Sequence, residues 1–226
     1  MTDTAAAIAA RILEAHDAGA SIARISDSDA PFDVAAAHHV ATALSGLRVA
    51  RGQRPVGWKI GYTNRALQKQ YGVLQPIWGR MYDTTVTEIA AGATAQCSLA
   101  QIAEPRIEPE IVVRLMRSPE PGMSPAALAA CVDRVGHGFE VVTSVFREWK
   151  GTAADSIAAG SLHARYFHGP LVALDGDRDW LKAITAVEVT LSRDGGEVDR
   201  GVVANAIDGP LHALGNGVPG LHQATG

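Results

Sequence analysis

The chain has 226 residues, enough for one domain with a sizeable core, and its 47% hydrophobic and 19% charged residues are those of an ordinary globule. A net charge of −4, with basic residues scattered along the chain, argues against a nucleic-acid partner. Two cysteines, Cys97 and Cys131, are too few for a disulfide framework and lack metal-binding spacing, so buried free thiols in a reducing, cytoplasmic setting are expected. No apolar run is long enough to span a bilayer, and the acidic start Met1 to Ile8 does not read as a signal peptide.

In chain order, Ala5 to Ala18 carries Ile8, Ile12 and Leu13 at helical spacing, with Gly19 as a stop. Ser21 to Pro31 is a loop. Asp33 can cap a second helix running to about Arg51, with Val40, Leu44 and Leu47 as its buried stripe. His38 and His39 on that helix point about 100° apart and read as surface or flanking residues.

Pro55 ends the helical region, and Val56 to Gly61 reads as a strand. Val56, Trp58 and Ile60 share its apolar face; Gly57, Lys59 and Gly61 share the other. The two glycines leave room beside the lysine amine, as a substrate-facing lysine requires and as an accidental glycine-rich edge also provides. Thr63 or Asn64 can cap a short helix through Tyr71, closed by Gly72. Gln75 to Gly79 is expected as a loop, with a new element from Arg80 to Asp83. Asp83 is either a site residue or a turn aspartate. Thr84 to Ala100 looks like β structure with a turn at Gly92.

If Glu104 to Leu115 is extended, Ile107, Ile111, Val113 and Leu115 fall on one face and Glu104, Arg106, Glu108 and Glu110 on the other. Two carboxylates two residues apart on one face repel unless something positive lies between them, and a hard divalent cation is an economical answer. An exposed strand with solvated acids is the plain alternative. Ser124 and Pro125 begin a helix expected to reach about Val135 and to bury Leu128 and Val132. Gly136 to Ser144 follows as a strand with Gly138, Glu140 and Val142 on one face. A carboxylate on an apolar face needs a partner. His137 points the other way and is either a core or loop histidine or a catalytic one. Phe146 to Gly151 is a loop carrying Trp149, Thr152 to Ala159 a short helix ended by Gly160, Arg165 to Leu174 a strand and Asp175 to Asp179 a turn. Val187 to Ser192 and Val198 to Ala206 flank Asp194-Gly-Gly196 as a hairpin, and Gly209 to Leu214 starts a helix that Gly215 to Gly220 breaks. No Cys-His or Ser-His-Asp arrangement has recognisable spacing.

Glu104-Pro-Arg-Ile-Glu-Pro-Glu-Ile111 resembles the metal-binding strand of the 2-keto-4-pentenoate hydratase and 4-oxalocrotonate decarboxylase branch of the fumarylacetoacetate hydrolase superfamily. Gly57-Trp-Lys-Ile-Gly-Tyr-Thr-Asn64, Gln75-Pro-Ile-Trp-Gly79, Gly138-Phe-Glu-Val-Val142, Ala154-Asp155 and Gly209-Pro-Leu-His-Ala-Leu214 resemble the same branch in the same order. The match runs to about Leu214. Ser156 stands where the family usually has asparagine.

The resemblance implies an α+β fold, a fumarylacetoacetate hydrolase-like mixed β-sheet roll. Residues 1–55 would form an N-terminal helical region, and 56–226 a β-rich catalytic region shortened at its C-terminus. It implies Glu108, Glu110 and Glu140 as ligands of Mg2+ or Mn2+. Lys59 would line the active site, Asp155 would orient substrate or lysine, and Asp83 would be a further site residue. The reaction it implies is hydration of 2-hydroxypenta-2,4-dienoate-type acids in aromatic catabolism. Decarboxylation of 2-oxo-3-hexenedioate comes second. Acylpyruvate hydrolysis, with Glu104 and His137 as a conceivable pair, comes third. A degenerate paralogue binding a metal or a partner is the non-enzymatic alternative. The expected partners are a small 2-oxo or 2-hydroxy-dienoic acid and further copies of the same chain in a homo-oligomer, with no nucleic acid and no membrane.

Overall fold

The computed structural model describes residues 4–64, 68–69, 73, 75–174, 180–205 and 213–215. The helix expected through Tyr71, the turn at 175–179 and the helix from Gly209 lie wholly or largely outside the described residues. Helix α1 (Ala5–Ala18) is capped by Thr4, whose hydroxyl accepts from Ala7 N, and ends at Gly19 with φ 59°. A Cβ at Gly19 would sit 2.9 Å from the backbone of Gln101, so close approach and left-handed φ both require glycine there. Helix α2 (Val34–Ala50) starts at Asp33, which accepts from Ala36 N at 2.8 Å; it buries Ala37, Val40 and Leu44 and packs on both α1 and the helix at Ala153–Ala158. Leu47, expected in that stripe, is half-buried.

Strand β1 (Pro55–Gly61) pairs antiparallel with β2 (Ile77–Tyr82), placing Lys59 opposite Gly79 and Trp58 opposite Arg80. From Ile77 onward the loop expected at 75–79 is therefore strand. The β1 ladder overrides the local Pro and Gly signals, as tertiary pairing commonly does. Burial along β1 does not divide by face as expected: Trp58, Lys59 and Ile60 are all half-buried. Val56 is 54% exposed, while the Lys59 side chain is 8% exposed. The half-buried ring of Trp58 is covered by the Arg80 guanidinium at 3.5 Å.

The main sheet contains β3 (Val86–Glu88), β4 (Arg106–Leu115), β5 (Val132–Val142), β6 (His163–His168) and β7 (Val172–Ala173). Its order is β3-β6-β5-β4, with β7 added on β5. The β3–β6 pair is parallel and the β5–β7 pair antiparallel, so the sheet is mixed. Only Val86–Glu88 of the β structure expected over 84–100 is strand. The helix expected to reach Val135 stops early: α3 spans Pro125–Ala129, and the chain turns into β5 at Val132. β-Branched Val132 and Val135 favour the extended form, the glycines at 136 and 138 disfavour helix, and Met116 N donates to Cys131 O at 2.8 Å to tie in the start of the strand. The strand expected over 165–174 is broken at Gly169-Pro170 into β6 and β7. Helix α4 (Ala153–Ala158) carries a reciprocal capping box between Thr152 and Asp155. Helix α5 (Trp180–Thr185) has no counterpart in the sequence reading. The expected hairpin is present as β8 (Glu188–Arg193) and β9 (Gly196–Val202), with Asp194 and Gly195 at φ 54° and 80°, the two positive angles a tight hairpin turn needs.

The chain forms two compact units. The first is Met1–Gly61, Ile77–Glu108 and Phe139–His168; the second is Tyr62–Pro76, Pro109–Gly138 and Gly169–Gly226. The first holds α1, α2 and α4 together with β1, β2, β3 and β6, so the N-terminal helices share a unit with the first strands. The second holds α3, α5, β7 and the β8–β9 hairpin. Among the described residues no helix is long and apolar enough to cross a membrane.

Candidate active site

Strand β5 supplies Glu140. Its alternation puts Gly138, Glu140 and Val142 on a buried face and leaves His137 exposed on the other, as expected. Glu140 is 1% exposed, so its carboxylate must be satisfied by protein groups. Oε1 accepts from His163 Nδ1 at 2.7 Å, and Lys59 Nζ reaches Oε2 at 2.9 Å. Lys59 also donates to Ser161 O at 3.2 Å. A Cβ built at Gly57 would meet nothing within 4 Å, and one at Gly61 would touch Lys59 Nζ at an ordinary 3.6 Å, so neither glycine is needed to make room for the amine.

Strand β4 supplies Glu108 and, two residues on, Glu110, both half-buried. One carboxylate oxygen from each of Glu108, Glu110 and Glu140 lies within 4.8 Å of the others. The face expected to be apolar is the more exposed one at the start of β4, where Ile107 is 49% exposed. Burial raises the Glu108 carboxyl above its ordinary value; Lys59 opposes this and Glu140 adds to it. Burial also pushes Glu140 up, but Lys59 and then His163 outweigh it and hold the group below its ordinary value. Burial lowers the His163 imidazole against the pull of Glu140. A neutral His163 carrying its proton on Nδ1 donates to Glu140 and leaves Nε2 to accept from the Thr85 hydroxyl at 2.8 Å.

Two other expected site residues are occupied elsewhere. Asp155 is fully buried. Its Oδ1 accepts from Ile25 N at 2.9 Å and Ser26 N at 3.0 Å. Its Oδ2 accepts from Ser26 Oγ at 2.6 Å, Thr152 N at 2.9 Å and Thr152 Oγ1 at 2.8 Å. These bonds tie the start of α4 to the turn at Ile25–Asp27 and engage both oxygens of the carboxylate. Asp83 accepts from Arg54 N at 3.0 Å and Arg54 Nε at 2.9 Å, and clamps the end of β2 to the residue before β1. The backbone and guanidinium of Arg54 hold its carboxyl below the ordinary value. Glu104 Oε1 accepts from Glu148 N at 2.9 Å. His38, expected at the surface, stacks on Trp78 with ring centroids 4.6 Å apart.

The sequence reading missed Thr85, Ser161 and His163. His163 follows two left-handed residues, Ser161 and Leu162, at φ 57° and 66°. Its partners are 23 and 78 residues away, so no local spacing exposes it.

No family model matches the chain. It is 33% identical over 210 residues to a 2-keto-4-pentenoate hydratase from Burkholderia vietnamiensis, an alignment covering 92% of this chain and 77% of that protein. It is 30% identical over 210 residues to a 4-oxalocrotonate decarboxylase from a Pseudomonas species, with the same coverage. The chain belongs to the family of 2-keto-4-pentenoate hydratases and 4-oxalocrotonate decarboxylases. The fold agrees. A 4-oxalocrotonate decarboxylase from Pseudomonas putida G7, solved with magnesium and adipate, superposes with a TM-score of 0.82 over 94% of this chain and 79% of that one, at 24% identity. Fumarylpyruvate hydrolase from Pseudomonas aeruginosa, solved with Mn2+ and pyruvate, gives 0.54 over 89% of this chain and 77% of that one, at 16% identity. The expected α+β mixed-sheet fold is the one the chain adopts.

Proposed function

We propose that this member of the family is a metal-dependent hydratase of 2-hydroxypenta-2,4-dienoate-type acids. The observation that carries the reading is the meeting of Glu108, Glu110 and Glu140 within 4.8 Å, with Lys59 against the third. An all-carboxylate donor set suits a hard dication such as Mg2+ or Mn2+, and mutually repelling acids of this kind are relieved by one. Glu108, Glu110 and Glu140 would hold the ion, which when bound supplies positive charge for the carboxylate and C2 oxygens of a 2-oxo acid.

The chain's own residues supply the rest. Lys59 holds a proton at Nζ in a largely dry setting, where it can bind the substrate carboxylate or pass a proton to carbon. Ketonisation moves a proton from the 2-hydroxyl to carbon and leaves one C=C bond. Water then adds across that bond, its hydroxyl to one carbon and its proton to the other. Decarboxylation is the second reading, favoured by similarity to the two 4-oxalocrotonate decarboxylases. Asp155 and Asp83 carry no step in this proposal, because their oxygens are held by Ser26, Thr152 and Arg54.

The test is loss of dienol absorbance from 2-hydroxypenta-2,4-dienoate with Mn2+, beside CO2 release from 2-oxo-3-hexenedioate. Metal-dependent loss of absorbance without CO2 release supports the hydratase. CO2 release moves the assignment to the decarboxylase. Neither, in a folded sample, leaves acylpyruvate hydrolysis and the degenerate paralogue, which an acylpyruvate assay separates. Assembly into a homo-oligomer belongs to the same reading and is checked by light scattering.

A further inference from the structure

We infer that His163, backed by Thr85, is a positioning residue that fixes the Glu140 carboxylate for a bound dication; the inference rests on the metal-site reading above. The last torsion of a glutamate is broad, so a buried carboxylate points one oxygen toward Glu108 and Glu110 reliably only if its other contacts fix the plane. His163 Nδ1 pins Oε1 at 2.7 Å. Behind it, Thr85 Oγ1 meets His163 Nε2 at 2.8 Å. Thr85 is itself tied to the backbone of β2, accepting from Tyr82 N at 3.1 Å and lying 3.0 Å from Tyr82 O.

A continuous set of hydrogen bonds thus runs from the main chain of one strand to a carboxylate on another. Thr85, His163 and Glu140 are 4%, 6% and 1% exposed, so water does not compete for any of these bonds. Apolar side chains would fill the same volume without fixing the carboxylate. Partners of this kind, one bond behind a metal ligand, change metal affinity by about 10–100-fold when removed.

The experiment is Mn2+ binding to the full chain, followed by electron paramagnetic resonance of free Mn2+, with thermal unfolding in parallel. His163→Leu removes the donor and should weaken Kd by about 10–100-fold. His163→Asn keeps an N–H near the place of Nδ1 and should stay within about threefold of wild type, and Thr85→Val should fall between them. A wild-type Kd in His163→Leu overturns the inference. So does an equal loss in His163→Leu and His163→Asn that tracks Tm, because packing alone would then explain it. Should His163→Leu fail to fold, an unchanged Kd in Thr85→Val overturns it instead. Wild-type protein that binds no Mn2+ refutes the metal centre itself, a separate result.

Discussion

Lys59 Nζ stands 2.9 Å from Glu140 Oε2, with the two side chains 8% and 1% exposed. The pair is largely removed from water, so deleting one member strands the other. Lys59→Met should lower the unfolding free energy by about 3–5 kcal/mol at neutral pH, read by urea denaturation. The sign with pH follows from the glutamate. Glu140 has a folded-state value below its ordinary 4.5, so the stabilisation is fully present above 4.5 and is lost as pH falls through the folded value. The gap between wild type and variant should therefore narrow in acid. Turnover should fall at least about 100-fold if Lys59 handles the proton.

Metal should stabilise the fold measurably. Mn2+ at about 100 times its Kd should add about 2.7 kcal/mol to unfolding, and excess chelator should remove both that gain and turnover. Glu108→Gln combined with Glu110→Gln should abolish the shift. Because Glu108 is raised above its ordinary 4.5, it keeps a proton to higher pH than a free glutamate. Mn2+ must displace that proton, so affinity should weaken as pH falls through the raised value. A pH-independent Kd between mildly acidic and neutral conditions would argue against Glu108 as a ligand.

Much of the candidate site's strand geometry was legible because period-two alternation is strict. It put Glu108 with Glu110 on one strand and Glu140 with Gly138 on another, and both groupings hold. It could not say which face of β1 or β4 turns inward, since Val56 and Ile107 look like core residues and are exposed. The resemblance favoured Asp155 and had no place for His163. The difference lies in long-range partners: the oxygens of Asp155 are filled from Ser26, and the imidazole of His163 is held by Thr85. Element boundaries failed where a β ladder competed with local propensity: the helix expected to reach Val135 stops at Ala129, and the loop expected at 75–79 becomes strand at Ile77.

Asp155→Asn should cost about 3 kcal/mol or more in stability, because an amide would set its own N–H groups against donors from Ser26, Ile25 and Thr152. The folded-state value of Asp155 lies below its ordinary 3.8: burial raises it, and the bonds from Ser26 and Thr152 outweigh that. Its contribution is therefore present above 3.8 and lost as pH falls through the lower folded value. Turnover per folded molecule should change little, and a large loss of kcat in well-folded Asp155→Asn would return this residue to the reaction.

Gly79→Ala should destabilise by about 2–3 kcal/mol, measured by thermal or urea unfolding. A Cβ there would sit 2.4 Å from Gly160 O, a backbone atom that cannot swing aside. The collision would also push on Ser161, which donates to Trp78 O and accepts from Lys59. Loss of activity should accompany the loss of stability, whereas Gly57→Ala, which meets nothing within 4 Å, should preserve the fold.

Pro109 separates the two glutamates of β4, which is last in the order of the main sheet among the described strands. A proline has no N–H to offer a stranger's backbone, and on an outermost strand it breaks the row of donors that would otherwise template cross-chain stacking. With Ile107 and Leu115 uncovered nearby, a valine in its place would restore a backbone donor and should raise the tendency to self-associate, read by light scattering, while leaving both acids in the sequence.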